Sequence, residues 1–527
     1  MEFLAAEEIG KKIKEISVAE FFEKNRHLLG YENPTRSLLT VVKESVDNSL
    51  DACIEARILP TIKVLVKPVG SNRFRVRVED NGPGLPPKKI PIAFGKFLVG
   101  SKFHKLKQSV GTLGVGVKGA ILYAQLTTGK PAKIQTYYKG EKHYFELFID
   151  VLKNTPKIVS HKVEKVSKNL HGLSIELIVE GRYVKGQQSI PTYLKYISIA
   201  NPYVEIIFDS PDGRITFKRV TKELPPPPKE IKPHPYGVEL GKFKRMLRLT
   251  RQKTIAAFLK NEFCRISMEK AIKICKLARL KPTRSPRKLG EDEIEKLYRA
   301  TQMVKLRGPP TKCLSPLNEK MLIEALKREF PGEFFAAVVR KPSVYRGFPF
   351  QVQAALAYGE NLNLNGCLLI RLANHTPLLY NAGECAITKA AQQINWRNYG
   401  LSQSEGCLPN APLVLLVDFI SVWIPYTSEG KQAIAQYPEI MKEIKLALQE
   451  IGRKLSVYLS RKRKIIRLKT KRNIFESYAK VFSEFLSTLT GKKEDYIRKK
   501  IDELIKKGVE VEKIEKKLKE KTEIIEL

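Results

Sequence analysis

The sequence predicts a multidomain α+β protein. Its 527 residues exceed what one hydrophobic core usually organises, so three or four domains are expected. Residues 224–237 contain six prolines, which exclude a helix or a central strand and favour an extended spacer. Mixed strand and helix patterns precede this stretch, helical patterns follow it, and mixed patterns return later. The expected units cover residues 1–228, 229–307 and 308–470, followed by C-terminal helices over 471–527.

The charge balance indicates a polyanionic partner. There are 94 lysines and arginines against 55 aspartates and glutamates, a formal charge of +39. A lysine-rich surface for heat tolerance explains abundant charge but not this imbalance, whereas such a field attracts nucleic acid. Residues 238–307 carry 20 basic and 7 acidic side chains, a net of +13, and residues 461–472 hold eight basic ones. We therefore expect a basic helical module and double-stranded DNA as a partner.

Cysteine usage and apolar runs bear on the compartment. The seven cysteines form no CxxC pair and are odd in number, which argues against a zinc site and a disulfide framework. The N-terminus lacks the apolar core of a signal peptide, and the most apolar run, residues 413–424, is interrupted by Asp418 and too short to span a bilayer. We expect an intracellular, nucleoid-associated protein that works without a membrane.

The first element that suggests chemistry is a predicted helix over residues 38–57. At 100° per residue its apolar side chains share one side, namely Leu39, Val42, Val46, Leu50 and Cys53. The opposite side carries Glu44, Asp47, Asn48 and Asp51. Carboxylates three and four residues apart repel one another, so a cation is expected nearby, and this density of oxygens suits Mg²⁺. By itself the pattern leaves a plain surface helix open.

The second element is a strand followed by a glycine turn. Apolar and polar residues alternate over residues 73–79, and Asp80 continues the buried face. A buried carboxylate needs a partner, because burial without one costs several kcal/mol. Gly82 and Gly84 follow directly and would let a flat ligand approach the backbone. An ordinary hairpin turn is the alternative.

The third element is a glycine-rich loop, residues 111–119, that leads into an apolar helical run over 120–126. Free amides and the helix dipole at such a junction favour phosphate. The loop also matches GxGxxG, but the preceding residues 105–110 are mostly polar, which excludes a dinucleotide site, and no GxxxxGK[ST] occurs. After Gly172, an alternating strand is expected to aim the hydroxyl of Ser174 at a phosphate.

The region after residue 308 predicts an α/β domain. A strand pattern covers residues 411–424, and a long helical pattern runs from residue 431 to about 459. The basic run over residues 461–472 then continues into further helical segments. We expect these C-terminal helices to dock a partner.

The order of these motifs resembles the Bergerat nucleotide-binding fold shared by gyrase, Hsp90, histidine kinases and MutL. ExxxN on a helix, DxGxG after a strand, a glycine-rich loop and Gly-x-Ser on a strand follow one another in that order. The segments ESVDNSLDA, EDNGPGL, GSKFHKLKQS and GTLGVGVKGAILYAQLTTGKP, and later IPYTSEGKQAIA, are similar to B subunits of the type IIB enzyme DNA topoisomerase VI. The resemblance covers about residues 1–470. It implies a Bergerat-fold ATPase domain, a helix-two-turns-helix module, an α/β transducer domain and C-terminal helices.

The resemblance also implies roles for individual residues. Glu44 would be the general base, Asn48 would hold Mg²⁺, and Asp80 would accept the adenine amino proton. Lys431 would reach the γ-phosphate from the transducer domain, although a surface lysine at a helix start is the alternative. Gly82 and Gly84 would make room for the base, and relatives often carry threonine at the position of Ser174. The remaining ATP contacts implied are Ser101, Lys102, Gly111, Thr112, Leu113, Gly114, Val115, Gly116, Val117 and Lys118.

The activity implied is an ATP-operated gate for duplex DNA. Two copies would dimerise on ATP, and a separate A subunit would cleave DNA within an A2B2 heterotetramer. A MutL-like repair clamp is the closest alternative enzyme, and a non-enzymatic basic scaffold is the alternative of another class. A histidine kinase needs a phosphoacceptor helix, yet only His27 precedes Glu44 among histidines. Hsp90 relatives tend to be acidic, and the EGDSA-like wording of type IIA B subunits is absent.

Overall fold

The N-terminal domain is a helical layer on an eight-stranded sheet. The computed structural model describes residues 14–103, 105–111, 114–428 and 430–508. The strands are β1 Thr61–Gly70, β2 Arg73–Asp80, β3 Ala132–Tyr138, β4 Glu141–Asp150, β5 Thr155–Lys165, β6 Leu173–Glu180, β7 Glu205–Ser210 and β8 Gly213–Phe217. They lie in the order β5-β4-β3-β6-β2-β1-β7-β8, and only β1 and β7 pair in parallel. The helices are α1 Val18–Lys24, α2 Pro34–Glu55, α3 Ile90–Gly95, α4 Gly116–Thr128 and α5 Ile190–Ala200.

Helix α2 forms where the sequence predicts a helix, but it begins earlier, at Pro34, and has a capped first turn. The Asn33 side chain accepts a hydrogen bond from Arg36 N, and Pro34 occupies the first turn, so the helix begins before residue 38. The predicted apolar side chains are all buried against the sheet. The strand predicted before the glycine turn is β2, and its last residue is Asp80. Helix and strand together position the side chains described below.

The helical module follows an extended linker that is bound to the first domain. Ile231 N donates to Leu106 O at 2.9 Å, and Arg57 Nη1 donates to Pro225 O at 2.6 Å, so the predicted spacer is not free. Four helices follow around a core in which the rings of Phe243, Phe258 and Phe263 meet. They are α6 Leu240–Leu249, α7 Ile255–Glu262, α8 Met268–Leu277 and α9 Glu291–Met303. The prediction of a helical module is thereby confirmed.

The third domain is a sheet covered on both faces. Its strands are β9 Phe334–Val339, β10 Ser343–Tyr345, β11 Phe348–Tyr358, β12 Cys367–Ala373, β13 Thr376–Pro377 and β16 Leu413–Ser421, while β14 Ser402–Gln403 and β15 Pro409–Asn410 pair separately. The helices are α10 Glu319–Glu329, α11 Ala386–Gln392, α12 Pro438–Thr490 and α13 Glu494–Gly508. Helices α11 and α12 cover one face, and α10 covers the other with α5 of the first domain. Every residue of the central strand β16 is buried.

Helix α12 differs from the predicted helix at both ends. It starts at Pro438 rather than at residue 431, because Lys431 has a left-handed backbone (φ 52°) and a proline suits only the first turn of a helix. It then runs without a break to Thr490, so the predicted boundary at 470 lies inside one helix. Among the residues that the structure describes, no helix is long and apolar enough to cross a membrane.

Candidate nucleotide site

A cavity of about 830 Å³ lies between α2, the β2–α3 turn, α4 and the third domain. Its size suits a small-molecule ligand. Gly82 and Ser174 do not line it, and Thr112 and Leu113 lie outside the described residues. The predicted residues that do line it are Glu44, Asn48, Asp80, Gly84, Ser101, Lys102, Gly111, Gly114, Val115, Gly116, Val117, Lys118 and Lys431.

Asp80 marks one end of the cavity, which we call the adenine end because the resemblance implies that adenine binds there. Its Oδ1 accepts hydrogen bonds from Gly82 N at 2.8 Å and from Leu173 N at 3.3 Å. Burial raises the pKa of Asp80 above its ordinary value, while hydrogen bonds from Gly82, Ser49 and Leu173 oppose that rise. A carboxylate has room for about four donors, so capacity remains for a ligand amino group. Ser49 was not predicted from sequence.

The two turn glycines serve the protein itself. A Cβ at Gly82 would lie 2.8 Å from Asp80 Oδ1, so the lack of a side chain keeps that carboxylate oxygen unobstructed. Its role in making room for a base stays a prediction. Gly84 has a positive φ of 68°, and a Cβ there would lie 2.6 Å from Tyr137 O. Its backbone nevertheless lines the cavity. The turn therefore needs glycine at both positions for different reasons.

The prediction for Ser174 is corrected by the register of β6. Leu173 and Ile175 line the cavity, and Ser174 between them is buried outside that lining. Successive strand residues point to opposite faces, so Ser174 cannot share the face of its neighbours. In addition, Leu173 pairs with Asp80, which puts this part of β6 at the adenine end. The Ser174 hydroxyl is thus not available to a phosphate in the cavity.

The first turn of α4 forms the other end, which we call the phosphate end. No side chain caps this helix, and its first intrahelical bond runs from Gly119 N to Val115 O at 2.7 Å. The amides of the first turn are thus left without helical acceptors, and the helix dipole adds positive potential there. The predicted helical run, residues 120–126, begins earlier because the last glycines of the loop are already helical. This end is suited to an anion.

Glu44 lies directly against this helix start. Any Cβ at Gly116 would collide with Glu44 Oε2, so only glycine allows the approach. Lys43 Nζ lies 3.2 Å from Glu44 Oε1. Burial alone would raise the pKa of Glu44, but the ammonium groups of Lys43 and Lys431 outweigh burial and hold the pKa below its ordinary value. Glu44 is therefore an ionised carboxylate near neutral pH, as a general base requires.

Asp47 departs from the predicted acidic side of α2. It is buried, accepts a hydrogen bond from the Tyr193 hydroxyl, and pairs with Lys43 Nζ at 3.0 Å. Burial raises its pKa above the ordinary value. Asp47 therefore supports the cavity wall, and Lys43, which the sequence analysis did not single out, supplies one of the expected cations.

Asn48 offers an oxygen to the phosphate end. Its Nδ2 donates to Glu44 O at 2.8 Å, which leaves Oδ1 free of that bond and 3.5 Å from where a Cβ of Gly111 would be. Within the described part of the chain, no three acidic, histidine or cysteine side chains could hold a metal by themselves. Mg²⁺ keeps several waters and takes one or two protein oxygens beside phosphate oxygens, so this donor fits it.

Asp51 binds the segment between α3 and α4, residues 96–115, which we call the lid. Lys102 Nζ lies 2.7 Å from Asp51 Oδ2, and Gly111 N donates to the same oxygen at 3.1 Å. Val110 N lies 3.3 Å from it. One carboxylate thus holds an ammonium and two amides, which are the groups that otherwise bind phosphate. From the helical pattern, Asp51 was predicted only to lie on the acidic side of α2.

Two further lysines hold lid carbonyls. Lys431 Nζ donates to Val110 O at 2.9 Å from the third domain, and burial lowers its pKa while Glu44 opposes that effect. Lys118 Nζ donates to Gly114 O at 2.9 Å and to Val99 O at 2.5 Å. Burial lowers the pKa of Lys118 to about 8. Both ammonium groups therefore lie beside the phosphate end, in contact with the lid.

Comparison with known proteins matches both large domains. A family profile described as histidine kinase-, DNA gyrase B- and HSP90-like ATPase covers residues 36–176, and one described as topoisomerase VI B subunit, transducer, covers residues 309–471. The chain is 49% identical over 455 residues to the B subunit of type 2 DNA topoisomerase 6 from Archaeoglobus fulgidus, covering 86% of this chain and 75% of that protein. It is 39% identical to the Pyrococcus horikoshii protein of the same name, covering 97% and 98%. The predicted fold class is confirmed.

Proposed function

Because this chain belongs to the family of type 2 DNA topoisomerase 6 B subunits, we propose that its two-domain cavity operates a gate for duplex DNA. The chain is the ATPase subunit of a type IIB topoisomerase. The observation that carries the proposal is the contact of Lys431, on the transducer domain, with the lid at Val110. Through that contact, an event at the phosphates acts on the neighbouring domain.

The cavity supports a division of labour among the proposed residues. Asp80 binds the adenine amino group, and the amides at the start of α4 bind phosphates. Asn48 holds Mg²⁺, which neutralises phosphate charge when bound. Glu44 accepts a proton from the attacking water, and Lys431 stabilises the charge of the γ-phosphate. All of these groups line one cavity, and the pKa of Glu44 suits a base.

The gate requires that ATP favour one arrangement of the domains. A ligand shifts a conformational equilibrium only through contacts that differ between the states. A γ-phosphate in reach of Lys431 supplies such a difference, because the contact is lost after hydrolysis and release. We therefore propose that two copies close around a duplex while ATP is bound and reopen afterwards.

The far part of α12 supports docking of a DNA-cleaving A subunit in an A2B2 assembly. Its large apolar side chains recur at helical spacing and are exposed, which is unusual for a face without a partner. The relatives are named as one subunit of an enzyme, so a second subunit is the matching occupant. The exposed side chains are Ile474, Phe475, Tyr478, Val481, Phe482, Phe485 and Leu489.

The basic surfaces support binding of double-stranded DNA. The helical module of residues 238–307 has a net charge of +13, and residues 461–472 on α12 add eight cations. Phosphate contacts of this kind supply affinity without sequence preference. We propose that the two surfaces hold the duplex while the ATPase domains close.

Strand passage by the reconstituted enzyme tests the proposal. The chain is mixed with the A subunit of a relative and catenated DNA, with and without ATP, and Glu44→Ala serves as the inactive control. We expect decatenation only with ATP, the A subunit and the unaltered chain. A MutL-like repair clamp would instead hydrolyse ATP on DNA without strand passage under any of these conditions, and that result would reject the proposal.

A further inference from the structure

Three successive lid residues are each bound by a different group of the transducer domain. Gln108 Oε1 accepts from Ser315 N at 2.7 Å, and Ser109 O accepts from Asn374 Nδ2 at 3.0 Å. Val110 O accepts from Lys431 Nζ, as described above. We call residues 108–110 the lid root, because they lead directly into the glycine-rich loop. Lys431 is therefore one of three contacts between the lid root and the transducer.

Behind Gln108 lies a buried polar cluster. His375 Nδ1 lies 2.6 Å from Asp418 Oδ2, and Nε2 lies 2.8 Å from Ser315 O and 3.4 Å from the Gln108 amide nitrogen. The Asp418 carboxylate accepts from Nδ1, and acceptors beside both ring nitrogens favour the protonated ring. Burial would lower the pKa of His375, but Asp418 and Ser315 outweigh it and raise the pKa. The backbone N of His375 also donates to Asp418, at 3.2 Å, and Gln353 Nε2 adds a third donor at 3.0 Å.

The backbone around His375 is fixed as firmly as its ring. Asn374 and His375 both have positive φ, 49° and 63°, in the two-residue turn between β12 and β13. Histidine in this conformation is uncommon and persists only where its surroundings hold it. The Asn374 side chain exchanges two hydrogen bonds with the Ser421 backbone, at 2.9 and 3.0 Å. The turn is thus tied to β16, the strand that leads to the Lys431 loop.

We propose that Gln108 is a positioning residue for ATP hydrolysis, seated in a socket made by Ser315, His375 and Asp418. Gln108 itself is buried, and its amide joins the lid to the transducer without touching the cavity at the phosphate end. When the transducer moves, the socket moves the lid root and so the phosphate loop. This second connection acts beside Lys431. The inference rests on the proposed roles of the glycine-rich loop and Lys431.

Two substitutions at residue 108 and one control test the proposal in the full chain. Gln108→Met keeps the length of the side chain and removes both polar atoms. Gln108→Glu keeps an acceptor for Ser315 N and places its second oxygen where the amide nitrogen lies 3.4 Å from His375 Nε2. Gln188→Met is the control, because Gln188 also spans the two domains, through Leu379 O at 3.4 Å, but does not contact the lid.

We expect Gln108→Met to lower kcat about tenfold with little change in ADP affinity, since one or two hydrogen bonds that position the loop are lost. Gln108→Glu should restore most of kcat, and Gln188→Met should match the unaltered chain. Normal turnover of Gln108→Met, or equal loss in Met and Glu variants together with lower thermal stability, would overturn the proposal. If Gln108→Met does not fold, Asn374→Ala tests the same lid root. This variant should likewise lower kcat with little change in ADP affinity. If the unaltered chain itself does not hydrolyse ATP, the proposed function is rejected instead.

Discussion

The adenine end and the phosphate end of the cavity are built in different ways. At the adenine end, Asp80 is held by Gly82, Ser49 and Leu173, all within one domain. At the phosphate end, Lys118 and Lys431 donate to lid carbonyls, and Lys431 comes from another domain. Contacts within the protein hold the first end, whereas the lysines of the second end would have to exchange lid carbonyls for phosphate oxygens if they are to bind a nucleotide. Affinity and catalysis should therefore respond to different substitutions.

Glu44→Ala should give the largest difference between hydrolysis, which depends on the phosphate end, and ATP binding, which depends on the adenine end. We expect hydrolysis to fall by at least about 10²-fold, because only the general base is removed. Binding of ATP should persist, since the contacts of Asp80 are untouched. Steady-state turnover and calorimetric affinity measured on the same preparation check this. Near-normal turnover would remove Glu44 from the role.

Lys431→Ala should break the link between the domains while sparing the adenine end. We expect a fall in kcat of about 10-fold or more, because one charged contact to the γ-phosphate is lost. Small-angle scattering with a non-hydrolysable analogue should show a smaller shape change than in the unaltered chain. Lys442→Ala, an exposed lysine on α12, is the control. A full shape change with normal turnover would show that the contact of Lys431 with the lid is structural and has no part in the coupling.

Asp80→Asn should affect the adenine end alone. The amide replaces one acceptor with a donor at a buried position, which leaves Gly82 N or the ligand amine poorly paired and costs about 1–3 kcal/mol, or roughly 5- to 150-fold in affinity. The preference for ATP over GTP should weaken, and kcat at saturation should change little. Affinities for both nucleotides measure the effect. An unchanged ratio would show that adenine is recognised elsewhere.

The smallest expected effect is a change in the protonation of Lys118 when ATP binds. Its pKa of about 8 lies below the ordinary 10.5, so in the free protein about half of this proton is lost at pH 8 and more is lost as the pH rises. Phosphates favour the charged form, so ATP binding at pH 8.5 should take up a fraction of a proton. Calorimetry in two buffers of different ionisation enthalpy detects this uptake. Lys118→Arg should abolish it, and equal enthalpies for the unaltered chain would contradict the assignment.

The sequence predicted the groups that depend on local spacing. Glu44 and Asn48 share a side of α2 because they are four residues apart, and the four glycines around the start of α4 lie within the nine residues 111–119. The predicted phosphate contact of Ser174 was assigned to the wrong face of β6, because a shift of one residue in a strand moves every side chain to the opposite face. The burial of Asp47 was not predicted, because its partner Tyr193 is 146 residues away and cannot be inferred from a helical pattern.

The cluster behind Gln108 could not be predicted at all. Gln108, Ser315, His375 and Asp418 belong to four separate segments. Gln108 lies in the segment GSKFHKLKQS and Asp418 interrupts an apolar run, but neither pattern links the four residues to one another. Their meeting depends on how the linker and the transducer sheet pack against the first domain. Polar residues of this kind look like ordinary loop and strand residues until tertiary structure brings them together.

The length of α12 amplifies any change in the tilt of this helix at the transducer sheet. At 1.5 Å per residue its 53 residues span about 80 Å, and the part beyond Leu459 extends about 45 Å from the last buried contact with the transducer sheet. A tilt of about 10° at the sheet would carry the far tip about 8 Å over that length. A displacement of an ångström or two beside the phosphates can therefore move the far end of α12 by about the length of a side chain.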